Sequence, residues 1–464
     1  MRLHKNHRLY IYTLFFAAAV FLSSCHTLEP FSETGLKAED KLYRDLDTSD
    51  STTIADIPWK NIFADANLQA LIDEALANSP DLKIAEQRIN KAKASLVQSQ
   101  LNLLPSLELN GDAIYKNSNS DGTGANKTFQ LYGYSSWEVD IWGKLRSTRR
   151  ASFDSYLQSQ AYKRAVQTQL IANVAGYYYT LLAYDAQLKI TEQTLKNREA
   201  QVETMKELKD ADVITGADLV QSQASRYSAE VSIPDIKQNI YKTENALSVL
   251  IGRLPGDIKR STLEEQQVIM ELKTGVPAQM LSNRPDVKQA EYQLRYYYEM
   301  TNVARSYFYP SLNITAYGGL TETDLSKLLD AKTLFWNLTG GLTQPLFNKG
   351  ANMQRLKTAQ ANKEEYLISY KQTLLEAGAE VANALHDYNT ATDKLTIRSN
   401  QIGYLEKAVD YTMELLKYSS ATNYTDVLTT ENNLLAGQLG LVSDKLQQLQ
   451  AVVNLYHSLG GGWK

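Results

Sequence analysis

A single cysteine in 464 residues, Cys25, rules out any intramolecular disulfide, so the fold must hold by packing alone. Histidine is nearly as scarce. Only His26, His386 and His457 lie beyond the first ten residues, far apart in the chain, which leaves no histidine-rich metal site. There is no nucleophile elbow and no glycine loop to cradle phosphate. Glu138 and Asp140 share a strand face at i, i+2, but nothing nearby completes an acid–base pair. The chain reads as a non-enzyme with no metal site. A net charge of −4, with both signs interspersed, gives no basic footprint for nucleic acid. Beyond the N-terminal leader no apolar run reaches the length of a membrane helix. That excludes helical spans but not a β-barrel, whose alternating strands barely register in hydropathy. Proline is sparse, at ten, while tyrosine is abundant, at 29. The balance suits long helices with a few aromatic-rich strands.

The leader itself has the form of an export signal. Arg2, Lys5 and Arg8 precede an apolar core from Leu9 to Leu22, too short for a transmembrane helix. It ends in Leu22-Ser23-Ser24-Cys25, which resembles a bacterial lipobox; cleavage after Ser24 would leave Cys25 to carry acyl chains. The expected layout is a signal peptide over 1–24 and a lipid-anchored extension over 25–66, polar and irregular.

The rest of the chain is one unit written twice. Asn78-Ser79-Pro80-Asp81 matches Asn283-Arg284-Pro285-Asp286, Pro105-Ser106-Leu107 matches Pro310-Ser311-Leu312, and Lys144 matches Lys349, always 205 residues apart. The repeats are placed at 67–262 and 263–464. In the first, Leu68, Leu71, Ile72, Ala75 and Leu76 are spaced for one helix face, and in each a helix started by the proline follows before the period changes from 3.6 to 2. In the first, strands are expected over about 106–116 and 127–139; in the second, over about 311–321 and 334–345. Each is about 11 residues long, enough to cross a bilayer when tilted. Four strands cannot close a barrel, and an open edge in lipid is not tolerated. Three chains giving four strands each would make a closed 12-stranded wall.

Long helices follow the strands, over about 144–211 and 217–250, then about 349–418 and 425–458. A helix of nearly 70 residues is a rod of roughly 100 Å, which only a coiled-coil-like assembly can bury. Each return helix is about half as long as its outgoing partner, so the helix from Pro80 to Leu104, and from Pro285 to Tyr309 in the second copy, is expected to stack end to end with it.

These features together resemble the outer-membrane efflux protein family (TolC-like), in its lipoprotein branch. The carriers are the lipobox, the paired Pro-Asp and Pro-Ser-Leu starts, Trp137-Glu138-Val139-Asp140-Ile141-Trp142-Gly143-Lys144, and the ending Val453 to Trp463. The resemblance implies a mainly α fold with a small β part. It also implies a trimeric channel-tunnel: a 12-stranded outer-membrane barrel on a long periplasmic α-helical barrel. It further implies a homotrimer docked to a periplasmic adaptor and an inner-membrane resistance–nodulation–division transporter, with no cofactor beyond the lipid on Cys25. His26 after the cysteine, by resemblance to enterobacterial lipoproteins, favours the outer membrane. In related channels acidic or polar side chains near the helix tips narrow the entrance. Here the tips carry Asp210, Asp212 and Asp218, then Tyr424, Asp426 and Glu431, with Thr429 where relatives place an acid. Asp426, Tyr424, Asp218 and Asp212 are the candidate gate; each also reads as an ordinary turn or cap residue. Tyr115, Trp137, Phe335 and Trp336 read as interfacial aromatics or as packing beneath the barrel. Lys144, Arg146, Arg149 and Arg150 read as a solvated helix face or a headgroup contact. A passive exit duct is the expected function; a periplasmic coiled-coil scaffold without a channel is the alternative.

Overall fold

The computed structural model describes residues 54–117, 125–268, 284–418 and 422–463. The expected export signal, Cys25 and most of the N-terminal extension lie outside the described residues. So do the tip of the first hairpin, most of the inter-repeat connector and three residues of the second helix tip.

The described helices longer than four residues are α1 (Ala66–Asn78), α2 (Pro80–Leu101), α3 (Lys144–Asp210), α4 (Gly216–Ile251), α5 (Pro285–Ser306), α6 (Ala351–Tyr418) and α7 (Tyr424–Ser458). Four strands, β1 (Ser106–Asn117), β2 (Ala125–Val139), β3 (Ser311–Glu322) and β4 (Leu334–Thr343), complete the set. Local chemistry places the helix ends. Asp65 accepts from the amide of Asn67 at 2.8 Å and so caps α1. Ser79 precedes a proline and is extended, which separates α1 from α2. Asp140 accepts from the amides of Leu145 and Arg146, both at 2.9 Å, and opens α3. It is thus a capping residue and makes no pair with Glu138, which binds Lys144 at 2.7 Å.

The chain forms two compact units. One, built from Ile89–Ser159 and Gln289–Tyr370, holds the sheet. The strands run in the order β1-β2-β3-β4, all antiparallel. The central β2–β3 ladder joins the two repeats. Directly opposed residues of an antiparallel pair share a face. Leu109 opposes Gly133, which opposes Gly318, which opposes Trp336. Leu107, Leu131, Trp137, Leu312, Ile314, Leu338 and Leu342 lie on that same face. It is apolar and open, with Leu107 82% and Trp336 79% exposed. The opposite face carries Asn110, Asp112, Gln130, Thr315, Asn337 and Thr339. Three of its aromatics, Tyr132, Tyr317 and Phe335, form one cluster with centroids 6.1–6.3 Å apart. Phe335 and Trp336 are therefore on opposite faces. Gly319 sits between Tyr132 and Phe335. A Cβ there would fall 2.5 Å from Tyr132 Cα and closer still to the Leu131 carbonyl oxygen, so only glycine fits. In the helical part of this unit Arg150 grips Glu299 through two bonds of 2.7 and 2.9 Å, and Tyr297 stacks on Tyr366 at 4.1 Å.

The other unit, Lys37–Arg88, Gln160–Lys288 and Lys371–Lys464, holds the main core. Leu68, Ile72, Tyr178, Leu181, Leu182, Leu247, Ile251 and Leu455 are fully buried there. The extension reads as irregular from Cys25, with order expected from Pro58-Trp59-Lys60 and Ile62-Phe63, and its described part starts at Ile54. Ile54, Ala55, Trp59 and Phe63 are buried in this core, and Tyr456 meets Phe63 edge-on at 6.0 Å. Burying such apolar side chains outweighs the entropy that a tether would keep. Asp65 also accepts from Tyr178 at 2.6 Å, from Gln266 at 2.9 Å and from Ser261, so α1, α3 and the connector share one half-buried carboxylate. These bonds draw its pKa down against the rise from burial.

Two helix joints lie in this unit. At the end of α4, Gly252 has φ +82°, and a Cβ on it would meet the Asn78 carbonyl oxygen at 2.7 Å, so α4 ends directly against the start of α2. At the end of α7, the Ser458 carbonyl accepts from Arg284 at 2.8 Å, just before α5.

Candidate functional site

The helix tips of the second unit are built by matching devices. α4 starts at a capping box: the Thr215 amide donates to Asp218 at 2.9 Å and the Asp218 amide donates back to Thr215 at 3.3 Å. α7 starts the same way, with the Asn423 amide donating to Asp426 at 3.3 Å and the Asp426 amide donating to Asn423 at 3.1 Å. Thr422 adds a hydroxyl bond to Asp426 at 2.8 Å. Asp212 has φ +57° and ends α3, the following Val213 amide donating to the Leu208 carbonyl at 2.9 Å. Three of the four candidate gate residues thus sit at helix ends, exposed or half-buried, with their carboxylates placed to set a negative field near the turns.

Tyr424 is placed differently. It is 1% exposed, packed with Met205, Leu416 and Val427, and flanked by Leu208, Leu219 and Met413. One aromatic ring therefore holds α3, α4 and α6 to the start of α7. Its hydroxyl lies beside Ser222, yet neither oxygen reaches a good hydrogen-bond geometry. Burial raises the Tyr424 pKa.

Behind it lies a polar layer. Arg198, 4% exposed, donates to the Ser225 carbonyl at 2.7 Å and to Asn432 at 2.8 Å. Gln201 donates to Glu431 at 3.1 Å. Burial pushes the Glu431 carboxyl up, with the field of Arg198 and the Gln201 bond pulling it down. Arg198 Nε, Glu431 Oε2, Ser222 Oγ and Ser225 Oγ are buried without a hydrogen bond. A buried polar atom without a partner costs free energy, so this layer packs less favourably than the apolar contacts around Tyr424. A groove of about 340 Å³ beside it is lined by Asn197, Arg198, Glu431 and Leu434. Sequence reasoning places Glu431 at the tip but misses Arg198. The available signal is its spacing: Thr191, Arg198 and Met205 are buried seven residues apart, so a cation occupies a heptad seam position.

Three of the four cations in the basic run at the start of α3 are paired within the protein. Lys144 binds Glu138, Arg146 binds Asp140 at 3.1 Å and Arg150 binds Glu299. Among the described residues no helix is long and apolar enough to cross a membrane, and no cluster of histidine, cysteine and acidic side chains could hold a metal ion.

Against known proteins, the model of the family described as outer membrane efflux protein matches residues 71–253 and 276–461. The probable efflux pump outer membrane protein TtgC of Pseudomonas putida is 28% identical over 412 residues, covering 87% of this chain and 85% of that one. The probable outer membrane lipoprotein SilC of Salmonella typhimurium is 28% identical over 417 residues, covering 88% of each. Among solved structures, the outer-membrane channel OprN superposes with a TM-score of 0.86 at 23% identity, over 94% of this chain and 99% of that one.

Proposed function

Because the chain belongs to the outer membrane efflux protein family, we propose that it is the outer-membrane duct of a tripartite efflux pump, working as a homotrimer. The observation that carries this reading is the four-stranded sheet. One face is apolar from edge to edge, the other is polar, and both outer strands lack a partner on one side among the described residues. A sheet of that kind satisfies its edges in lipid only by closing with other copies. Three copies supply 12 strands, with the apolar face toward lipid and the Asp112–Tyr132–Thr339 face toward a water-filled lumen. Acyl chains on Cys25 would add a second membrane attachment. A periplasmic adaptor and an inner-membrane resistance–nodulation–division transporter complete the pump, and the transporter supplies the energy.

The gate of this duct is proposed at the tips. Tyr424 wedges the helices together, the Arg198–Glu431 layer holds them weakly, and Asp212, Asp218 and Asp426 set the field at the entrance. Opening requires the Tyr424 ring to leave its pocket. The test is conductance of the purified full-length protein in a planar bilayer. Wild type should show a small closed-state conductance, Tyr424→Ala a large increase, and Asp426→Ala an increase. Absence of any conductance in all three proteins would refute the duct; a Tyr424→Ala closed state equal to wild type would refute the gate. Membrane extraction gives a second test. With Cys25→Ala and a replacement signal, the protein should still require detergent.

A further inference from the structure

The repeat contains a template for the contact between copies. Within one chain the two repeats meet along β2–β3, where the second strand of one repeat pairs with the first strand of the next. If copies close a barrel, as the duct reading requires, the same kind of junction recurs between β4 of one copy and β1 of its neighbour. We propose that this intermolecular ladder sets Trp336 opposite Tyr115, Leu338 opposite Ala113, Gly340 opposite Gly111 and Leu342 opposite Leu109 of the neighbouring copy.

The register follows from numbering. In the β2–β3 ladder the paired residue numbers always add to 451, as for Leu131 with Leu320 and Trp137 with Ile314. The repeats are offset by 205 residues. Moving from β2 to β4 adds that offset and moving from β3 to β1 subtracts it, so the total is unchanged. The result keeps the faces continuous, because every apolar-face position of β4 meets an apolar-face position of β1. It also pairs the whole of β4 with residues 108–117, all within β1. On the polar face Thr343 meets Glu108 and Phe335 meets Lys116, so no like charges oppose.

One alternative is built into the structure. The β3–β4 hairpin is two residues out of step with β1–β2: Ser106 opposes Ser136, whereas the matching Ser311 opposes Thr343. Carrying that slip across would place Leu338 opposite Tyr115. Barrel geometry decides against it. Tracing the ladders from Leu107 through Ser135, Ala316 and Leu338 returns to Ala113 in the proposed register, an advance of six residues per copy. Three such steps around 12 strands give a strand tilt of about 46°, using about 3.3 Å rise and about 4.8 Å spacing. The slipped register advances eight and gives about 54°, well beyond the roughly 35–45° of closed barrels.

Cysteine cross-linking of the full chain in outer-membrane vesicles tests this. Leu338→Cys is combined in turn with Ala113→Cys, Tyr115→Cys and Gly111→Cys, and each is also made alone. A two-residue slip moves the partner Cα out of disulfide reach, so the Ala113→Cys pair should cross-link at least about tenfold more than the other two. Strongest cross-linking with Tyr115→Cys or Gly111→Cys would overturn the register while leaving a closed multi-copy barrel intact. No cross-linking in any pair, with monomers by sizing in mild detergent, would overturn both the register and the duct. Trimers by sizing with no preference among the three pairs would overturn the register alone.

Discussion

The two repeats make the same helix joint from different chemistry. In the first, the return helix ends at Gly252, and the joint is a backbone contact too close for any side chain. In the second, a glycine with φ +80°, Gly460, stands at the matching place, but the contact is made by Arg284. Arg284 is buried, donates to the Ser458 carbonyl, and is held by Asp286 at 2.6 Å and Glu380 at 2.7 Å. Its counterpart 205 residues earlier is Ser79, buried with its hydroxyl unbonded. What the repeat preserves is therefore geometry; one joint depends on shape and the other on charge.

The largest expected effect contrasts an inner strand with an outer one. Gly319 and Ile114 are equivalent positions in the two repeats. Gly319→Val forces a side chain into β2 and should cost about 3 kcal/mol or more, abolishing on sizing the trimers that the duct reading requires. Ile114→Gly removes a side chain without forcing one into a neighbouring strand, so it should cost about 1 kcal/mol and leave the trimers of the duct reading intact. Next comes the charged joint. Arg284→Ala should cost about 2–3 kcal/mol by thermal unfolding in detergent, since charged hydrogen bonds are lost and a buried carbonyl is stranded. Ser79→Ala should be neutral or slightly stabilising, because it removes an unsatisfied buried oxygen. Gly252→Ala should cost about 1–3 kcal/mol from the left-handed φ and the Asn78 contact together.

A titration sharpens the contrast further. His457 sits beside Arg284, Asp286 and Glu380, and burial and then the Arg284 charge lower its pKa from 6.5. The folded state refuses a proton that the unfolded chain accepts. Stability is therefore full above pH 6.5 and declines as pH falls toward the lower folded value. Melting temperature should drop over that window in wild type, and His457→Gln should flatten the curve. The smallest effects lie at the tips. Asp218→Ala and Asp426→Ala each remove a capping box and should each cost about 1 kcal/mol in native-state hydrogen exchange of the first turn. If Asp426→Ala also changes conductance and Asp218→Ala does not, the two tips differ in function despite one shared design.

Much of this fold is legible in the sequence because it is periodic. Alternation marks the strands and their faces, and proline, glycine and aspartate mark the helix ends. Long-range pairing is not legible. Arg150 reads as a solvated or headgroup-binding cation because its partner, Glu299, lies on the other repeat. Arg198 escapes notice because a cation in a heptad seam resembles one on a wet face until its acceptors, Ser225 and Asn432, are in place. Tyr424 is expected near an opening by its position at a turn, and the packing that encloses it comes from three other helices. The two-residue slip between the hairpins is equally hidden, since either register keeps every side chain on its face.

The β2–β3 ladder carries a kinetic consequence. Each hairpin can zip up locally, but Phe129 must wait for Glu322, almost two hundred positions later, before the central pairing begins. Until both halves of the polypeptide have been exported, two greasy ribbons stand uncovered in an aqueous compartment. Removing factors that hold unfolded chains should therefore lower the yield of this protein more than that of barrels whose strands all pair with sequence neighbours, as quantitative blots of membranes would show.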